Sequence, residues 1–170
     1  MMKLMTLGFV FAVGLQACTP AVEYSAEGPT VSLSDLAVLT GDDWVGSLTY
    51  LDYSSGEMAE IATKVSIQAP ESRQITYTIS YPDEPWEDGT DTIKLSEDGR
   101  LVDGYVVIQS QTGEAGEVMF MTEHAGEDDN QPATIRMAYR VAPKEFQIRK
   151  DVKFEASEAF ITRSTYAFSR

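Results

Sequence analysis

Thr134-Ile135-Arg136-Met137-Ala138-Tyr139-Arg140-Val141-Ala142-Pro143-Lys144-Glu145-Phe146-Gln147-Ile148-Arg149-Lys150-Asp151-Val152-Lys153-Phe154 is the stretch from which the fold is read. Ile135, Met137, Tyr139 and Val141 alternate with Thr134, Arg136, Ala138 and Arg140. After Ala142-Pro143 the rhythm resumes, with Phe146, Ile148, Val152 and Phe154 set against Gln147, Arg149, Asp151 and Lys153. Successive side chains of a strand point to opposite faces, so a period of two over this length describes two half-buried antiparallel strands joined by a tight turn.

The same period extends outward in both directions. Ile75, Tyr77, Ile79 and Tyr81 are interleaved with Thr76, Thr78 and Ser80, and Phe160, Tyr166 and Phe168 share a parity opposite to Arg163 and Thr165. Turn residues punctuate the runs at Ser54-Ser55-Gly56, Asp83-Glu84-Pro85, Asp88-Gly89, Glu97-Asp98-Gly99, Thr112-Gly113-Glu114 and Glu127-Asp128-Asp129-Asn130. Strands are expected near residues 43–53, 58–68, 73–81, 90–96, 100–110, 117–125, 133–142, 145–154 and 159–169. Before them, Ser32-Leu33-Ser34-Asp35-Leu36-Ala37-Val38-Leu39 offers a capping serine and apolar residues at helical spacing, enough for one or two helical turns. The expected fold is all-β, an antiparallel up-and-down barrel of about eight to ten strands with a short N-terminal helical turn; closing the sheet removes its exposed edges.

Composition bounds what such a domain could do. The chain has 170 residues, 43% hydrophobic and 24% charged, with 13 Lys and Arg against 27 Asp and Glu and a net charge of −14. That length suits one domain with a sizeable core. Nucleic acid is not an expected partner, because such binding rests on Lys and Arg neutralising phosphates. The acid excess is uneven: from Cys18 to Pro132 there are four basic and 23 acidic residues, and from Ala133 to Arg170 eight basic and four acidic. Pairing of the basic C-terminal strands with acidic neighbours is the favoured reading of this asymmetry, ahead of a basic stripe for an anionic ligand.

The N-terminus explains the single cysteine. Lys3 precedes an uncharged apolar run from Leu4 to Leu15, too short to span a bilayer, which marks a targeting segment. Leu15-Gln16-Ala17-Cys18 resembles the lipobox of bacterial lipoproteins. The resemblance implies a signal peptide over residues 1–17, acylation of Cys18, and a tether over residues 18–33 that includes Pro20 and Pro29, ahead of a barrel over residues 34–170. It also implies attachment to the bacterial cell envelope through Cys18, and Thr19 after the cysteine fits the outer membrane, facing the periplasm. Two or more acyl chains hold a protein at a membrane stably where one does so only marginally.

A second resemblance concerns the barrel. Leu39-Thr40-Gly41-Asp42-Asp43-Trp44-Val45-Gly46-Ser47-Leu48-Thr49-Tyr50 looks like the opening of calycin barrels such as the lipocalins, in which a helical turn leads into a Gly-x-Trp first strand. Here the spacing is Gly-x-x-Trp. Tyr50-Leu51-Asp52-Tyr53-Ser54-Ser55-Gly56 and the Tyr166-Ala167-Phe168 ending extend the similarity to lipocalin-like bacterial lipoproteins. The resemblance implies that Trp44 closes the barrel and that a basic residue of the last strand lies across it. Arg163 is assigned by its position in that strand, and terminal Arg170 is the other candidate.

No catalytic residue is assigned. His124 lacks a second His or a free Cys as partner, and no nucleophile elbow, P-loop or zinc-protease motif is present. No cofactor or metal is expected, since the acidic loops near Asp83–Asp91 and Glu127–Asn130 do not follow calcium-loop spacing and are accounted for by turn chemistry. The barrel interior is the natural seat of a function. The residues expected to line a ligand there are Tyr50, Tyr77, Phe120, Met137, Tyr139, Phe146 and Tyr166. A barrel of this size either fills with its own side chains or holds one small ligand. Three functions stay open: binding a small hydrophobic or amphipathic molecule, a filled scaffold meeting a protein partner that the sequence does not name, or an envelope enzyme using carboxylates.

Overall fold

The structure, a computed structural model, describes residues 28–170. Cys18, the expected signal peptide and most of the expected tether lie outside the described residues. A helical turn α1 (Leu33–Ala37) precedes β1 (Gly41–Asp52), β2 (Glu57–Ile67), β3 (Gln74–Ser80), β4 (Gly89–Lys94), β5 (Leu101–Val102), β6 (Tyr105–Thr112), β7 (Val118–Asp128), β8 (Gln131–Ala142), β9 (Glu145–Phe154) and β10 (Ile161–Ser169). Ser32 caps α1 as expected: its hydroxyl accepts from the Asp35 amide at 3.2 Å, and the Asp35 carboxylate accepts from the Ser32 amide at 2.8 Å.

The strands run antiparallel in the order β4-β3-β2-β1-β10-β9-β8-β7-β6-β5, so each lies beside its neighbour in sequence except where β10 returns to pair with β1. This is the up-and-down barrel that the alternation predicts. It is nearly closed, because β4 and β5 are joined by no ladder but by a short bridge between Leu95 and Val102, where Ser96 N–H donates to the Leu101 carbonyl at 3.0 Å. Asp103 N–H donates to the Lys94 carbonyl at 2.8 Å, and Lys94 N–H donates to Asp103 Oδ1 at 2.8 Å.

Three details differ from the expectation. The run 100–110 is two strands, split at Asp103-Gly104, where both residues have positive φ (53° and 84°) as a tight hairpin turn requires. The folded domain starts before residue 34: Val31 is buried and its amide donates to the Gly99 carbonyl at 2.9 Å. Gly99 must be glycine there, since its φ is +71° and a Cβ would meet the Val31 carbonyl oxygen at 2.4 Å. Finally, a register shift between Thr162 and Ser164 breaks the parity of β10, and Phe160 lies under the guanidinium of Arg136, 3.8 Å from the ring centroid, instead of among the interior residues.

One end of the barrel is packed solid. Trp44, Val65, Ile75, Val141, Phe146 and Phe168 fill it, and Leu36 and Leu39 cover it from the α1 side. Trp44 stands edge-on to Phe146 at 6.4 Å, and Phe146 stacks on Phe168 at 6.0 Å. Each such buried side chain contributes on the order of 1.5–3 kcal/mol. Outside, the three arginines of β8 and β9 are paired with acidic neighbours as expected: Arg136 with Glu123, Arg140 with Glu145 at 3.2 Å, and Arg149 with Asp151 at 2.9 Å.

Candidate functional site

Above the packed floor the interior opens. Pairing carries one parity around the wall: Thr122 of β7 lies opposite Met137 of β8, and Met137 opposite Lys150 of β9. One step nearer the floor, Phe120, Tyr139 and Ile148 lie in register, and Phe120 stacks on Tyr139 at 4.5 Å. The result is a cavity of about 540 Å³ lined by Tyr77, His124, Ile135, Met137, Tyr139, Ile148 and Lys150, with Asp91 and Asp103 at its edge. A second hollow of about 370 Å³, lined by Leu48, Tyr50, Ile61, Tyr81, Arg163 and Tyr166, shares Lys150 with the first. A third, of about 330 Å³, shares Tyr77 with the first and Tyr81 and Tyr166 with the second. The three adjoin through these shared side chains and together are called the lumen. A separate groove of about 320 Å³ runs on the outer face, where Met119, Met121, Ala138, Arg140 and Gln147 wall it.

The lumen is aromatic but not dry. Tyr81 and Tyr166 hydroxyls meet at 2.6 Å, whereas the Tyr139 hydroxyl has no hydrogen-bond partner among the described residues although the residue is 7% exposed. Burial, above all, raises the phenols of Tyr77, Tyr139 and Tyr166 far above their ordinary range. Asp91 and Asp103 add to this at Tyr77 and Tyr139, and the Tyr81 hydrogen bond adds to it at Tyr166. These rings are therefore neutral hydrogen-bonding groups at any physiological pH. His124 stacks on Tyr105 at 3.6 Å, its Nδ1 buried without a partner. Burial, with Lys150 nearby, holds its imidazole below the usual histidine range.

A charged cluster stands at the mouth. Lys150 Nζ donates to Asp128 Oδ1, the Tyr53 hydroxyl donates to Asp128 Oδ2 at 2.6 Å, and Arg163 Nε lies 3.5 Å from the same oxygen. Burial opposes the charge on Asp128, but the bonds from Lys150 and Tyr53, with the charges of Lys150 and Arg163, outweigh it and hold the carboxyl below its ordinary value. The Tyr53 phenol is pushed up to about 12 by burial and by that hydrogen bond. Around the whole lumen five carboxylates (Glu84, Glu87, Asp91, Asp103 and Asp128) face three cations (Lys94, Lys150 and Arg163).

The expected site residues fall into three groups. Tyr77, Met137 and Tyr139 line the main cavity, and Tyr50 and Tyr166 line the second hollow. Phe120 and Phe146 share the interior face but sit in the packed part, 2% and 1% exposed, where they support the lumen and do not line the main cavity. Trp44 is completely buried at the closed end, its indole N–H donating to the Leu39 carbonyl at 2.8 Å. The guanidinium across it belongs to Arg170, 4.3 Å from the ring centroid, and not to Arg163. Arg163 lies at the other end, over Tyr53 at 4.4 Å and donating to the Leu51 carbonyl, because β10 runs from the mouth to the floor and it is Arg170, just past its end, that reaches over Trp44. Asp91, Asp103, His124, Asp128 and Lys150 are lumen residues that the expectation omits. Parity could have found Lys150, which shares it with Ile148 and Val152, and Asp91, which shares it with Ile93.

No protein-family model matches the chain, and no curated protein matches it in sequence. The crystal structure of Rv2717c from M. tuberculosis is similar in backbone shape, with a TM-score of 0.49 and 12% sequence identity, covering 81% of this chain and 96% of that chain.

Proposed function

We propose that this protein is a lipid-anchored lipoprotein of the bacterial envelope whose barrel binds one small hydrophobic or amphipathic molecule. The observation that carries the binding reading is the cavity of about 540 Å³ inside the barrel, a volume within the range of small-molecule sites. Its lining suits an amphipathic guest: Ile135, Met137 and Ile148 supply apolar surface, neutral tyrosines supply polar handles, and the unbranched Met137 side chain adapts to irregular shapes. The lipoprotein reading rests on Leu15-Gln16-Ala17-Cys18.

Titration with an uncharged, environment-sensitive naphthylamine probe tests the binding reading. Met137 faces the lumen and Ala138 the outer groove. Saturable binding to the unmodified protein is expected, with an affinity loss of at least about tenfold in Met137→Trp and no change in Ala138→Trp. Equal loss in both variants, or no saturable binding at all, would leave the barrel as a scaffold.

A further inference from the structure

The wall between β4 and β5 differs from the rest of the barrel. Beyond the Leu95–Val102 bridge, β4 has β3 on one side and no paired strand on the other. Asp91 and Asp103 border the main cavity along this seam. One oxygen of each is taken by a backbone amide: Asp91 Oδ1 accepts from Thr92 N–H at 2.7 Å, and Asp103 Oδ1 accepts from Lys94 N–H at 2.8 Å. Of the remaining oxygens, Asp91 Oδ2 has only a long contact from the Tyr77 hydroxyl, at 3.5 Å, and Asp103 Oδ2 has no partner among the described residues.

Behind the carboxylates stands Tyr139, more than nine-tenths buried, lining the cavity with its hydroxyl unpartnered. Its oxygen is accessible from the cavity, where a polar group of a guest can hydrogen-bond to it. The sign of that guest's charge follows from its surroundings. Lys150 and Arg163 are already engaged with Asp128, and the lumen as a whole carries more carboxylates than cations. An anionic head would meet Asp91 and Asp103 uncompensated except by Lys94. A cationic head would meet two carboxylates. Asp103 is an exposed residue, yet partial desolvation of its carboxyl and the neighbouring Asp91 hold it above its ordinary range, a cost that a bound cation relieves.

We propose that the lumen selects an organic cation, an amine- or ammonium-bearing amphiphile whose head lies at Asp91 and Asp103 and whose apolar part extends past Tyr77, Tyr139 and Met137. This rests on the reading of the lumen as a binding site. Displacement of the uncharged naphthylamine probe by octylammonium, octanoate and octanol, all with the same apolar chain, tests it.

Octylammonium is expected to displace the probe at a concentration at least about tenfold below that of octanoate. The Asp91→Asn/Asp103→Asn protein is expected to lose that preference, each displacement being read against the probe affinity redetermined for this protein. Asparagine retains an Oδ1 acceptor for the Thr92 and Lys94 amides, and a thermal melt checks that the fold is kept. The Glu84→Gln/Glu87→Gln protein, altered at the second hollow, is expected to keep the preference. An equal or reversed order in the unmodified protein, or a preference that survives the double Asn change, overturns the inference while leaving lumen binding intact. Absence of probe binding to the unmodified protein removes both.

Discussion

Arg170 links three parts of the chain from its last position. Its Nε donates to the Pro143 carbonyl at 2.8 Å, Nη1 to the Thr40 carbonyl at 2.9 Å and Nη2 to the Val38 carbonyl at 2.8 Å, while the guanidinium plane covers Trp44. A planar group with a rigid fork of donors makes this possible where a lysine could not. Beneath it, Trp44→Ala leaves a cavity among Phe146, Val65 and Leu39, and a loss of about 3–5 kcal/mol is expected in denaturant unfolding. A change below about 1 kcal/mol would contradict the buried position. Asp128, 9% exposed, gives a pH prediction. Its folded-state carboxyl lies below the ordinary value of 3.8, so its contribution to stability is present above that value and is lost as pH falls through the folded one. Asp128→Asn should therefore be less stable than the unmodified protein at neutral pH, with the gap between their melting curves narrowing below about pH 4. A gap that stays constant from pH 7 to pH 2 would contradict the assignment.

Among the elements, those with uninterrupted alternation were legible and those interrupted by bulges were not. β8 and β9 pair without a shift along their length, and their interior residues were placed correctly from parity. In β10 the shift between Thr162 and Ser164 moved Phe160 outward, a change no count of alternate residues contains. A similar shift between Gly41 and Trp44 accommodates the extra residue of Gly-x-x-Trp. The β5–β6 turn was legible in principle, since Asp-Gly between apolar pairs is a hairpin signal, but two residues before a turn are too few to show a period. β1 and β10 carry the element-scale prediction. A Cβ on Gly46 would sit 1.9 Å from the Ala167 carbonyl oxygen and 2.8 Å from its carbon, both backbone atoms that cannot move aside without separating the strands. Gly46→Ala is expected to cost on the order of 1–3 kcal/mol or more, whereas Gly89→Ala on β4, with its nearest neighbour at 3.9 Å, stays close to neutral in the same unfolding measurement.

At the scale of the molecule, the chain reaches the barrel at one end and the lumen opens at the other. Val31 and α1 join the floor, near Trp44 and Arg170, while Tyr53, Asp128 and Arg163 stand at the mouth. The charged half of the lumen was the least legible part of the site, because Asp128 reads as one acid in a turn and acquires its meaning only when β9 and β10 bring Lys150 and Arg163 to it. Among the described residues the first packed into the core is Val31, 13 positions after Cys18, so the proposed anchor is expected to be separable from the fold. Cys18→Ser should therefore move the protein from the membrane pellet to the soluble fraction, including after a high-salt wash, while the melting curve of the barrel is unchanged. A mutant that still sediments with membranes at high salt would remove the lipoprotein reading. One that leaves the membrane but also melts early would mean that the segment before Val31 supports the fold.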